Sequence, residues 1–281
     1  MQNRLKYQLL PEGSDYSAGC TNFGDCINRP LDVGGCTIFV CEKGKADVTL
    51  NFKPYSIKAG HILILFGDTV IVPKKTSEDF WIFTVSISTN IVDELLYNSS
   101  SDFFDFLYAN PVLTTSREQR YLLAGWERQI MWMLRPENSA NAYSLISNTL
   151  RNFFIVTENT INSAHKLTGI RYKMSRGWIL INKFTKLLYE HGHENRNVNY
   201  YADQLCVTPG YLYKVVTKEM GTTPKDLIEN YITSEIKVYL ATTDLSVKEI
   251  AEELHFEDPS YMCRFFRRRA GVSLTEYKEA K

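Results

Sequence analysis

Basic side chains recur at matching positions near the end of the chain. Lys214 and Lys218 lie four residues apart, and Arg264 and Arg268 repeat that spacing fifty residues later, with Arg267 and Arg269 beside them. Four residues is about one helical turn, so each pair shares a face. An ammonium or guanidinium on such a face holds phosphate oxygens, and the guanidinium fork pairs bidentately with the acceptors of guanine. Ser260 to Arg269 contains four arginines and no acid. A solvated surface is the ordinary reading of such a run, but recurrence at fixed spacing points to a polyanion.

Other chemistries find less support. Cys20, Cys26, Cys36 and Cys41 lie close in sequence, but their spacing lacks the paired C-x2-C knuckles of a structural zinc site. With Cys206 and Cys263 they are expected to be free thiols of a reducing compartment. His61 is the only histidine of the β-rich region, too few for a His-x-His metal centre. No nucleophile motif or glycine-rich phosphate loop occurs, so neither catalytic residue, metal nor cofactor is expected.

The elements that position the basic residues repeat as well. Tyr201–Pro224 (YADQLCVTPGYLYKVVTKEMGTTP) aligns with Ile250–Leu274 (IAEELHFEDPSYMCRFFRRRAGVSL). Ala202 and Leu205 match Ala251 and Leu254 at an offset of 49, while Pro209, Tyr211 and Gly221 match Pro259, Tyr261 and Gly271 at 50. The extra residue falls between the leucine and the proline, where a turn tolerates it. Thr208-Pro209 and Asp258-Pro259 read as cap and first helical residue, and each glycine as a helix stop. Each copy is therefore helix, turn, helix. Leu212, Val216, Met262 and Phe266 are core by spacing, and Tyr211 divides between packing and readout of the partner. Pro224–Ala241 carries Leu227, Ile228, Tyr231, Ile232, Ile236 and Leu240 at helical spacing, a connecting rod of roughly 27 Å.

Upstream the pattern changes. Residues 36–88 hold short β-rich runs (TIFVC, ADVTLNF, HILILF, TVIV, DFWIFTVSIS), with a hairpin signal at Glu42-Lys43-Gly44-Lys45. A sandwich or small barrel is expected. Leu122, Trp126, Ile130 and Met133, then Tyr143, Ile146, Leu150 and Phe153, recur at helical spacing on either side of Pro136. This helix pair would pack on the strands or form a dimer interface. Residues 160–177 contain Lys166, Arg171, Lys173 and Arg176 without an acid, marking a linker after which Ser175 would cap a helix near Trp178. The expected domains are 1–160, a linker at 161–177, and 178–281.

Of 281 residues, 44% are hydrophobic and 23% charged, the profile of a globular rather than a disordered chain. Basic and acidic residues balance at 32 each, yet residues 164–281 carry net +3 and residues 1–163 net −3. No apolar run is long enough to cross a membrane, and the start MQNRLKYQLLPEGSDYS lacks a secretory h-region, so a cytoplasmic location is expected.

Over residues 178–281 the chain resembles the AraC/XylS family of bacterial transcription regulators. The resemblance rests on YADQLCVTPGYLYKVV, the Ile232-x-x-Glu235 helix, LSVKEIAEELHF and DPSYMCRFFRRRAGVSLTEY. It implies an α+β protein: an N-terminal cupin-like β-barrel with a helix pair, then seven helices with two helix-turn-helix units joined by a linker helix. His255 departs from the family's glycine, and Met262 from its phenylalanine. The resemblance implies a ligand-responsive, sequence-specific regulator whose two second helices read successive major grooves. Gly210, Tyr213, Lys214, Ser260, Tyr261 and Arg264 would meet base edges. Thr208, Lys218, Arg267 and Arg268 would hold phosphates. Double-stranded DNA, RNA polymerase, a small organic ligand bound among the strands without a metal, and a second copy of the chain are the expected partners. The alternatives are a cupin-type enzyme with an accessory C-terminal module, and a ligand-binding adaptor without DNA binding.

Overall fold

We describe the chain from a computed structural model, which describes residues 7–96, 99–168 and 176–279. It divides into two compact units, residues 1–50 with 54–175 and residues 51–53 with 176–281.

In the first unit ten strands are found among the described residues: β1 (Tyr7–Gln8), β2 (Tyr16–Thr21), β3 (Leu31–Asp32), β4 (Cys36–Lys43), β5 (Lys45–Leu50), β6 (Lys53–Lys58), β7 (His61–Phe66), β8 (Ile71–Thr76), β9 (Trp81–Ile87) and β10 (Val112–Thr114). They form two five-stranded sheets, in the orders β1-β3-β8-β5-β6 and β10-β7-β4-β9-β2. No strand joins the two among the described residues, so two open sheets stand where a closed barrel is expected. One edge of each sheet is a strand of only two or three residues, β1 or β10, which offers too few ladder bonds to bridge.

The central strand β4 is apolar on both faces. Cys36, Ile38 and Val40 join one core with β7, β9 and the helices, while Phe39 and Cys41 join the core shared with the other sheet. This is why TIFVC reads as a continuous apolar run rather than an alternating one. Phe23 packs against Phe39 and Phe80, with ring centroids 6.3 and 5.4 Å away, and these buried rings fill the layer between the sheets. Proline is tolerated in β8 because Pro73 faces Val48 at a bulge.

Four helices follow: α1 (Thr89–Leu96), α2 (Ser101–Ala109), α3 (Arg117–Met133) and α4 (Ala142–Thr168). Ile130, Met133, Ile146, Leu150 and Phe154 are buried, and Trp126 stacks on Phe153 at 4.9 Å. Leu122 and Tyr143, which recur on the same two stripes, are exposed, so packing within the unit accounts for only part of each stripe. The first turns of α3 carry no buried residue, so the stripe starts to pack only farther along. Helix α4 runs on to Thr168 with Ile161 in the core, so it continues into the stretch read as linker. Ser175, Arg171 and Lys173 lie outside the described residues.

The second unit contains seven helices among the described residues: α5 (Arg176–His191), α6 (Val198–Gln204), α7 (Pro209–Met220), α8 (Pro224–Thr242), α9 (Val247–Glu253), α10 (Pro259–Ala270) and α11 (Leu274–Glu279). Helix α8 spans roughly 28 Å at 1.5 Å per residue. It buries Leu227, Ile228, Tyr231, Ile232, Ile236 and Leu240, the residues expected from the pattern. After α5 the chain turns at Gly192, where a Cβ would lie 2.3 Å from the Tyr231 ring, so only glycine allows this approach.

Candidate nucleic-acid interface

The two sequence repeats fold as two matching frames. Ala202 and Ala251 are fully buried, as a close crossing of the following helix requires. Thr208 caps α7 by accepting from the Tyr211 amide at 3.2 Å, and Asp258 caps α10 by accepting from the Ser260 amide at 2.8 Å. Pro209 and Pro259 open the helices, where no intrahelical donor is lost. Gly221 and Gly271 close them with φ of 67° and 77°, in the left-handed region open to glycine.

The turns match too. Val207 donates to the Ala202 carbonyl and Phe256 to that of Ala251, at 2.9 and 2.8 Å. His255 has φ 52°, the strained geometry expected from its place in the pattern, and Cys206 at the matching position has φ 54°. Sequence reasoning missed Cys206, although the 49-residue offset from His255 marks it. The extra residue of the second copy is Glu257, in the turn, between Phe256 and the cap.

Each second helix buries one face and presents the other. Leu212, Val216, Met262 and Phe266 are fully buried. Gly210, Tyr211, Tyr213, Lys214, Thr217 and Lys218 lie exposed along α7, and Ser260, Tyr261, Arg264, Arg267 and Arg268 along α10. These include every residue expected to meet bases, and the cap Thr208 is exposed at the start of α7. Thr217, at the repeat position of Arg267, was not singled out, though the 50-residue offset points to it. Tyr261 keeps a packing role, its ring centroid 6.0 Å from that of Phe256.

The four arginines of α10 differ in what they touch. Arg264 reaches Asp258 at 3.9 Å across an exposed surface. Arg267 is exposed. Arg268 leans to Glu229 of α8 at 3.8 Å, though its side chain stays 60% exposed. Arg269 turns onto α8, 3.2 Å from both Asp226 and Glu229 and 2.6 Å from the Asn230 amide oxygen. It ties helix to helix and is not a surface cation. On α7 Lys218 lies 3.8 Å from Glu219 and remains open to solvent. The Ser260 backbone amide, then its hydroxyl and Arg264, hold the Asp258 carboxyl below its usual range, so the cap stays ionised at neutral pH.

All six cysteines are free thiols. Burial pushes Cys26 and Cys41 up to about 12 and Cys36 higher still, which leaves these three unreactive. Burial and then the Lys58 charge hold His61 below its usual range. Among the described residues no three His, Cys, Asp or Glu side chains are grouped to hold a metal ion. None of their helices is long and apolar enough to cross a membrane.

Matches in sequence are confined to about a third of the chain or less. Residues 201–280 match the family described as a helix-turn-helix domain. YtdP of Bacillus subtilis, described as an uncharacterised HTH-type transcriptional regulator, is 32% identical over 80 residues, 28% of this chain and 10% of that protein. YisR of the same organism, described likewise, is 27% identical over 94 residues, 34% of this chain and 33% of its own length. The chain thus spans a third or less of these curated relatives. A crystal structure of an apo ToxT variant from Vibrio cholerae superposes with a TM-score of 0.50 at 15% identity, covering 95% of this chain and 97% of that one, a likeness of fold. The sequence repeat, its folding into two capped frames and the match to a helix-turn-helix domain family coincide on residues 201–280.

Proposed function

We propose that the chain is a transcription regulator that binds double-stranded DNA sequence-specifically, with α7 and α10 entering successive major grooves on one face of the duplex. The observation that carries this reading is the pair of equivalently capped helices, each presenting basic side chains to solvent at matching positions. Gly210, Tyr213, Lys214, Ser260, Tyr261 and Arg264 read base edges, with Arg264 suited to a guanine. Thr208, Lys218, Arg267 and Arg268 hold phosphates and set register. Arg268 exchanges its 3.8 Å contact with Glu229 for a phosphate, and Arg269 keeps that partly buried carboxylate paired.

The N-terminal unit senses a small organic ligand, a reading supported by its strand-then-helix layout. Since Phe23, Phe39 and Phe80 fill the layer between the sheets, a ligand entering there must displace rings. The regulator works as a homodimer in the cytoplasm, contacts RNA polymerase and performs no catalysis. Exposed Tyr121, Leu122 and Trp132 on α3 support the dimer, because such side chains gain by leaving water. Selection of bound fragments from random duplex DNA, followed by titration at several salt concentrations, tests the reading. A recovered consensus with two half-sites about one helical turn apart supports it. Salt-insensitive or sequence-blind binding overturns it.

A further inference from the structure

Arg196 lies in the loop between α5 and α6, directly before the Asn197 cap of the first helix-turn-helix unit. Its side chain leaves that unit for the second. One guanidinium nitrogen donates to the Leu254 carbonyl, at the C-terminal end of α9. The guanidinium carbon sits 3.6 Å from the centre of the Phe256 ring, inside the second turn. Its Nε is buried and makes no hydrogen bond among the described residues, so stacking and the helix end hold it in place. A cation at a helix C-terminus meets the carbonyls that the helix leaves unpaired, and stacking on a ring adds to that attraction. Phe256 in turn packs against Tyr261 and Phe265 of α10, with centroids 6.0 and 5.8 Å away.

The loop that carries Arg196 is itself anchored. Tyr201 donates its hydroxyl to the Asn195 carbonyl at 2.6 Å, and His193 Nε2 lies 2.8 Å from the Tyr231 hydroxyl and 3.4 Å from Glu235 of α8. The contact has no mirror image in the repeat. The residue matching Phe256 is Val207, and the position 49 residues after Arg196 is Leu245. A joint that occurs once between two like frames sets the placement of one against the other.

We infer that Arg196 is a positioning residue that fixes the second reading helix relative to the first, by clamping α9 and the Phe256 turn to the start of the first unit. This rests on the two-groove reading above. One inserted base pair displaces a half-site by about 3.4 Å and turns it by about 34°, which a fixed pair of helices cannot follow.

The test compares the full-length chain on its selected site with the same site carrying one extra central base pair, and on an isolated half-site. The wild type is expected to lose about tenfold or more on the respaced site. Arg196→Ala should lose roughly three- to tenfold on the native spacing, bind the half-site as before, and discriminate little between spacings. Phe256→Leu should behave alike, and the double variant should add little. Unchanged discrimination in Arg196→Ala overturns the inference, as does an equal loss on half-site and full site together with a lowered Tm. Should Arg196→Ala fail to fold, Arg196→Lys, which keeps a cation but not the planar fork, supplies the same comparison.

A measurement without DNA separates this inference from the reading beneath it. Spin labels attached through Thr217→Cys and Arg267→Cys, with Cys20, Cys206 and Cys263 replaced by serine, report the distance between α7 and α10. That distance distribution should be narrow and broaden in Arg196→Ala. Equal widths overturn the clamp, whereas broadening in Arg196→Ala beside a wild type that is itself indifferent to half-site spacing overturns the two-groove reading.

Discussion

On α7 Lys218 sits beside Glu219 and faces solvent, while at the matching positions of α10 Arg268 and Arg269 reach across to Asp226 and Glu229 of α8. The two helices share caps, prolines, buried faces and terminal glycines, yet the second spends part of its charge on holding itself to α8. Charge number therefore misjudges the reading surface: of four arginines on α10, Arg269 is committed to α8 and Arg268 is divided between Glu229 and solvent. The first copy has two lysines on its open face and the smaller Thr217 at the position of Arg267. Shared architecture fixes where side chains emerge, and the side chains decide which copy discriminates bases and which mainly holds the backbone.

Phe266 and Val216 occupy matching, fully buried positions. Phe266→Ala should cost roughly 3–5 kcal/mol in denaturant unfolding of the second unit, and Val216→Ala clearly less, because the cavity scales with the atoms removed. Similar losses would mean that the frames are not packed alike.

Arg264→Ala should cost about 1–3 kcal/mol on the preferred site and relax preference at one or two base pairs. Lys218→Ala should weaken all sequences alike and lower the slope of log affinity against log salt by about 0.9, one phosphate contact. Titrations against specific and scrambled duplexes at several salts decide this. Equal losses of Arg264→Ala on both duplexes would place another face of α10 in the groove.

The caps differ in their response to acid. Asp258 titrates lower in the folded chain than its ordinary value of 3.8, whereas Thr208 does not titrate. The cap's contribution is present above that value and is lost as pH falls through the lower folded one. Circular dichroism on acidification should show this loss in the wild type and a flatter profile in Asp258→Asn, with α7 unaffected.

The smallest effect is expected at the turns. Cys206→Gly and His255→Gly each relieve a left-handed residue, a gain that the flexibility of glycine in the unfolded chain partly offsets. Each should stabilise by about 0.5 kcal/mol, read from thermal unfolding. A gain at only one turn would show that the two are not strained alike.

The frame was legible because caps, prolines and glycines act locally and recur at 49 and 50 residues. The orientation of Arg269 was legible too, though it was not singled out, since it falls seven and three residues after the buried Met262 and Phe266. The contact of Arg196 with Phe256 joins residues sixty positions apart and leaves no periodic trace. In the first unit HILILF and TIFVC announced β7 and β4, while β1, β3 and β10 are too short to carry a pattern. The exposure of Leu122 depends on where α3 meets its neighbours, which helical period alone does not specify.

The pairing of β2 with β9 sets Tyr16 opposite Ile87, and β4 lies against the same strand. The sheet that holds both strands therefore cannot close until Ile87 has left the ribosome, although β2 emerges about seventy residues earlier. Each helix-turn-helix frame, by contrast, completes within a short stretch such as Val198–Met220. Chains rich in distant contacts fold slowly, and those with local contacts fold fast. The strand-rich unit is then slower to mature than either frame, and its waiting strands, with backbone groups still unpaired, are prone to aggregate in the nascent chain.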